Sequence, residues 1–222
     1  MEYILIFVVS IIITLVAQGL VSSRYNKYKK VPNAIGMTGE NVARNILDAN
    51  GLYDVAVVPV AGNLSDNYNP SNRTVNLSEE IFYGSTVASM AIAAHECGHA
   101  IQHKEGYAFM KVRSALVPVV NAASSLAYFS IIIGFIFGYM GMLEIGIIVQ
   151  FLTLLFELVT LPVEFNASSR ALKQLDGFNI FAVDEVSGSK KMLTAAALTY
   201  VAALVTTLLN LLRLILLARR RD

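Results

Sequence analysis

Only one cysteine, Cys97, and no tryptophan occur among the 222 residues. A lone cysteine excludes an internal disulfide framework. Without tryptophan, any aromatic belt at a membrane surface has to be built from tyrosine and phenylalanine. Charge is scarce too: Asp, Glu, Lys and Arg make up 15% of the chain, against about a quarter in ordinary soluble domains. The net charge of +1 argues against a nucleic-acid partner, which would call for a strongly basic surface. Histidine is rarer still. There are three, His95, His99 and His103, and all lie in one short stretch. What abounds is apolar side chain, at 55%, more than a soluble chain usually carries.

That apolar excess is gathered into runs. Residues 4–21 are apolar with mild interruptions at Thr14 and Gln18, long enough to cross a bilayer. A cleaved signal peptide is the competing reading, but no basic residue precedes the run, while Arg24, Lys27, Lys29 and Lys30 follow it. A retained anchor fits better. Two further runs, at about 115–140 and 145–161, are joined by a very short link around 141–144 and read as a transmembrane hairpin, with Asn121, Ser124 and Ser125 expected to pack against other helices. The last run covers 192–218 and ends in Arg219, Arg220 and Arg221.

The chain therefore divides into an anchor at 1–23, a water-facing part at 24–113, a hairpin at 114–163, a hydrophilic segment at 164–191 and a final membrane helix with a basic tail at 192–222. About four crossings put the two water-facing segments on one side. Their lysines and arginines, set against a hairpin link and N-terminus with none, make that side cytoplasmic. The terminal arginines oppose this assignment, because four crossings place them outside.

Within 24–113, Thr38, Gly39 and Glu40 open a helix that carries Val42, Ile46 and Leu47 on one side, and Gly51 stands where glycine stops helices. Residues 55–60 and 74–77 read as strands, and 67–72, with Pro70, as a turn cluster. Ser78 with Glu79 and Glu80 looks like a helix start, and Ser85 like the cap of the next helix, which runs to about Lys104. The strand at 74–77 is either paired on both sides or leaves one edge to take up an extended peptide.

Residues 91–103 read A-I-A-A-H-E-C-G-H-A-I-Q-H. On a helix, His95 and His99 project from one face a turn apart. Two imidazoles so placed can hold one zinc ion, and Glu96, directly after the first, can reach a water on that ion as general base. A buried helix that merely carries histidines is the bland alternative. It would leave a charged glutamate buried without compensation. Small apolar residues precede the motif, and Gly98 permits a close approach by another element.

A catalytic zinc usually has three protein ligands. His103 lies about 12 Å along the helix axis from His95, too far to share one ion, and is left to a neighbouring role or to the helix end. With no histidine remaining, the third ligand should be a carboxylate. Two crossings of the hairpin return the chain to the motif's side, and the first acid at that re-entry is Glu164. Ala167, Ser168 and Ala171 behind it suit close packing, and Ser168, four residues on, could hydrogen-bond a metal-bound histidine. Glu157, deep in an apolar run, is the rival. His103 and Arg170 are candidates for stabilising a transition-state oxyanion, with a helix cap and a surface cation as their bland alternatives.

Six stretches taken in order resemble the YugP-like family of bacterial membrane zinc metallopeptidases: T-G-E-N-V-A-R-N-I-L-D-A-N-G-L, L-S-D-N-Y-N-P, V-N-L-S-E, A-A-H-E-C-G-H-A-I-Q-H, R-S-A-L-V-P and L-P-V-E-F-N-A-S-S-R-A. The layout also resembles the HtpX-like membrane proteases, where a glutamate on a later helix completes the zinc site. Those proteases carry an aspartate four residues after that glutamate, where this chain has Ser168. The resemblance implies a mostly helical, multi-pass cell-membrane protein with a small α+β, zincin-like cytoplasmic part and a two- or three-stranded sheet. It also implies one zinc per chain, held by His95, His99 and Glu164, with Glu96 as catalytic base. The expected activity is endopeptidase cleavage of peptides or membrane-protein substrates beside the lipid bilayer. A non-catalytic membrane scaffold and a metal transporter are the rival classes. A scaffold has no use for Glu96, and a transporter would need ligands at bilayer depth.

Overall fold

The computed structural model describes residues 2–137, 142–178 and 181–219. It is mostly helical, with one small sheet. In chain order the elements are α1 (Glu2–Tyr28), α2 (Gly39–Ala49), β1 (Ala56–Val60), β2 (Asn67–Asn69), β3 (Thr74–Ser78), α3 (Glu79–Tyr83), α4 (Val87–Lys104), α5 (Ala108–Phe137), α6 (Met142–Gly177) and α7 (Val183–Arg219). The chain forms two compact units. One combines residues 1–18, 108–162 and 199–222, and the other residues 19–107 and 163–198.

The first unit holds most of the apolar helix surface. Among the described residues, α1, α6 and α7 each contain a stretch long and apolar enough to cross a membrane. In α6 only 6% of that stretch is buried within the chain, and Phe151, Leu155 and Leu158 stand exposed. So much unburied apolar surface suits hydrocarbon and not water. Two of the polar groups here turn to Thr207. The Thr207 hydroxyl donates to Glu157 Oε1 at 3.0 Å, and Gln150 donates to the Thr207 carbonyl. The expected packing role of Asn121, Ser124 and Ser125 is not observed. All three are exposed, and the Ser125 hydroxyl donates to the Asn121 carbonyl on its own helix. The second apolar run falls on α5, but residues 138–141, which include the start of the short link, lie outside the described residues, as do Arg220 and Arg221 of the basic tail.

The second unit is built around α4. Its N-terminal half is lined with small and medium apolar side chains, and Val87, Ala88, Met90, Ala91, Ala93 and Ala94 are all buried. On one flank, α2 presents Val42, Ala43, Ile46 and Leu47, each fully buried, and the Cys97 thiol points at the Ala43 carbonyl at 3.5 Å. The Thr38 hydroxyl caps α2, and Gly51 ends it at φ 64°, as the sequence suggested. The cap of α4, however, is Thr86 and not Ser85. Thr86 has extended backbone and its hydroxyl accepts from the Ser89 amide, whereas the Ser85 carbonyl is taken by the Asn33 amide.

The sheet has strand order β1-β3-β2, with β1 parallel and β2 antiparallel to β3. Two expectations change here. Residues 67–69, read as part of a turn, form a strand, and the Asn76 amide donates to the Asn67 side chain across the pair at 2.8 Å. This side-chain ladder compensates for the weak strand propensity of asparagine. Residues 74–77 belong to the central strand, already paired on both sides, so no extended peptide can add to them. Ser78 starts α3, yet its hydroxyl donates to Asp66 and makes no cap bond.

Candidate metal centre

The middle of α4 faces the part of α6 that begins at Val163. The approach is close because position 98 has no side chain. A Cβ at Gly98 would lie 2.5 Å from the Ala167 carbonyl oxygen, closer than van der Waals contact allows. Ala167 and Ala171, both fully buried, keep the α6 face equally shallow. This backbone-level contact sets the distance between one turn of α4 and one turn of α6, and the candidate metal-binding side chains sit there.

His95, His99 and Glu164 each offer a donor atom, and these atoms all lie within 4.8 Å of one another. Glu164 Oε2 is 3.2 Å from His95 Nε2 and 3.6 Å from His99 Nε2. Donors around a tetrahedral zinc at about 2.0–2.1 Å would be roughly 3.3 Å apart. The two imidazoles meet edge to face, 4.8 Å between centroids at 84°. Glu164 is 3% exposed and His99 7%. Two nitrogens and one carboxylate oxygen are a donor set suited to zinc.

Each imidazole is also held from behind. Ser168 Oγ lies 3.2 Å from His95 Nδ1. Gln102, fully buried, accepts from His99 Nδ1 through its Oε1 at 3.0 Å, while its Nε2 donates to the Val163 carbonyl and to Asn166 Oδ1. Because both amide hydrogens are used on α6, the Gln102 oxygen is the end left for His99. That fixes the proton on Nδ1 and leaves Nε2 as the nitrogen able to ligate a metal. Asn166 Oδ1 accepts a second bond from Arg170 Nε at 2.7 Å, and Arg170 Nη2 pairs with Glu105 at 2.7 Å. A polar chain thus runs from Glu105 at the surface through Arg170, Asn166 and Gln102 to His99.

Glu96, beside His95, is buried, and burial pushes its pKa upward. The neighbouring imidazoles oppose that shift and the charges of Glu164 and Asp66 add to it. For His99, burial favours the neutral ring, but Glu164 and Glu96 outweigh it and the net shift is upward. Cys97 is inert here. Burial, reinforced by the charge of Glu96, drives its thiol pKa far upward, so little nucleophilic thiolate forms.

Of the residues singled out in the sequence, His95, Glu96, His99, Glu164 and Ser168 come together. Arg170 is engaged with Asn166 and Glu105. His103 is exposed and its Nδ1 lies 2.8 Å from the Tyr68 hydroxyl. Glu157 is not part of the cluster, and its Oε1 accepts from Thr207. Gln102 and Asn166 escaped the sequence reading. Gln102 left one usable sign: it stands three residues after His99 on a helix, close enough to touch it.

The chain belongs to the family described as "putative neutral zinc metallopeptidase", whose profile matches residues 3–219. Among curated proteins it is similar to the "Putative membrane protease YugP" of Bacillus subtilis (strain 168), at 45% identity over 201 residues, which is 90% of this chain and 89% of that protein. No solved structure gives a significant match.

Proposed function

We propose that this protein is a membrane-bound zinc endopeptidase that cleaves peptide bonds in membrane-associated substrates, with its active site on the cytoplasmic side. The observation that carries the reading is the convergence of His95 Nε2, His99 Nε2 and Glu164 Oε2 next to the buried Glu96. His95, His99 and Glu164 would hold one zinc per chain. Zinc so held supplies Lewis acidity and lowers the pKa of water toward about 7.

The chain's own residues do the rest. Gln102 holds the His99 ring with Nε2 turned to Glu164, and Ser168 stands behind His95. Glu96, as carboxylate, takes a proton from the attacking water and delivers it to the leaving amine nitrogen. Its burial favours the protonated form, so it can carry that proton between the two steps. A structural zinc site is normally closed by four protein ligands, and the group among the described residues has three, which favours an open, reactive position over a scaffold role.

The test is a pair of measurements on purified full-length protein. The wild type should contain about one zinc per chain and cleave an unstructured model protein. Glu96→Gln should keep the zinc and lose at least about a hundredfold in rate, because it removes a base and no ligand. Cleavage at the wild-type rate by the variant would refute the mechanism. Wild-type protein without zinc would refute the metal assignment.

A further inference from the structure

We propose that a groove between α1 and α7 binds the headgroup of an anionic membrane phospholipid. The groove measures about 450 Å³ and is lined by Arg24 on α1 and by Ser187, Lys190, Lys191 and Thr194 on α7. Its apolar walls come from Leu20 and Leu198. It is separate from the metal centre and shares no lining residue with it.

Three features specify the ligand. The first is uncompensated positive charge. Among the described residues, Arg24, Lys190 and Lys191 form no ion pair. Glu185, on the same helix, is buried and accepts from the backbone amides of Ala34 and Ala182, and Glu80 takes Lys29 and the Tyr25 hydroxyl. The second is donor geometry. A guanidinium, two ammonium groups and two hydroxyls all donate to oxygen, and a guanidinium matches a phosphate with two parallel bonds.

The third feature is position. The apolar run of α1 ends at residue 21, just before Arg24, and that of α7 begins at residue 192, just after Lys191. Cations therefore sit where the helices pass from apolar to polar, with Leu20 and Leu198 on the apolar side. Free phosphate would use only the polar half of such a groove, whereas a phospholipid uses both. Basic pockets between membrane helices at this level are suited to anionic headgroups.

Native mass spectrometry of the detergent-solubilised full-length protein tests the proposal. Three probes are titrated separately: phosphatidylglycerol, phosphatidylcholine with the same acyl chains, and inorganic phosphate. The wild type should bind phosphatidylglycerol well ahead of phosphatidylcholine, and inorganic phosphate should not compete at matching concentration. Arg24→Gln alone should weaken phosphatidylglycerol binding about fivefold, Lys190→Gln with Lys191→Gln about twentyfold, and all three together about a hundredfold.

A control removing three exposed cations outside the groove (Lys27→Gln, Lys30→Gln, Lys173→Gln) should bind as the wild type does. The smaller variants keep the test decisive if the triple variant does not fold. Equal binding of the two lipids overturns the proposal, as does unchanged binding in the groove variants or an equal loss in the control. Equivalent competition by inorganic phosphate makes the groove an anion site and not a lipid site.

Discussion

At the scale of single residues, the candidate metal centre is flanked by side chains that hold its imidazoles in place. Gln102 satisfies three partners at once, and its own surroundings are buried. Replacing it with leucine of similar volume would leave the His99 Nδ1 proton, the Val163 carbonyl and one Asn166 contact without partners. Gln102→Leu should therefore weaken zinc binding about 10- to 100-fold in competition with a chelator, with helix content by circular dichroism unchanged. Gln102→Glu retains an acceptor for His99 and should lose less. Equal affinity in the wild type and the leucine variant would show that His99 needs no support. The grouping of His95, His99 and Glu164 was readable from the sequence because i, i+4 histidines project from one face of a helix, and because Glu164 is the first acid after the expected hairpin. Asn166 was not readable. Its role depends on a contact across 64 residues with Gln102, and nothing in an asparagine's immediate neighbours announces such a partner.

At the scale of elements, the centre is a contact between two helices, and Gly98 governs how close they come. A methyl group at this position would meet backbone, at 2.5 Å from the Ala167 carbonyl oxygen, and backbone in a packed helix has little room to yield. Gly98→Ala should cost about 1–3 kcal/mol of stability through overpacking. It should also move Glu164, three residues before Ala167, away from the histidines. A lowered thermal midpoint together with weakened zinc binding is the expected result. A lowered midpoint with unaltered zinc affinity would mean that the helix contact and the metal centre are independent. The helices at this level were legible from caps and periodicity, as Thr38 and Gly51 illustrate. The sheet was harder to read. Three residues rich in asparagine carry turn signals, and only pairing with β3 makes them a strand. Once β3 is central, the outer edges of β1 and β2 are the ones left for an extended peptide.

At the scale of the whole molecule, connectivity constrains the membrane topology. Residues 19–107 and 163–198 form one compact unit, and that unit contains both His95 and Glu164. On the proposed membrane placement, the chain between them, from residue 108 to 162, leaves and returns to the same side of the bilayer, which takes an even number of crossings. If α6 crosses through its apolar part, α5 has to cross as well. Together with α1, α6 and α7, the three helices long and apolar enough to cross among the described residues, α5 would make the proposed four spans, in keeping with its 30-residue length and the about 20 apolar residues that a span needs. The proposed cytoplasmic placement of the compact unit is in keeping with its lysines and arginines. Single cysteines introduced at Asn67 and Asp176 should then be protected from a membrane-impermeant thiol reagent in intact cells, and one at Glu144, at the start of α6, should be labelled. Native Cys97 gives little background, since it is fully buried and its thiol is held protonated. Labelling of Asn67 and Asp176 but not Glu144 would reverse the orientation while keeping four spans. Labelling of only one of the first two would mean that an odd number of segments crosses between them, and the shared side of His95 and Glu164 would fall with it.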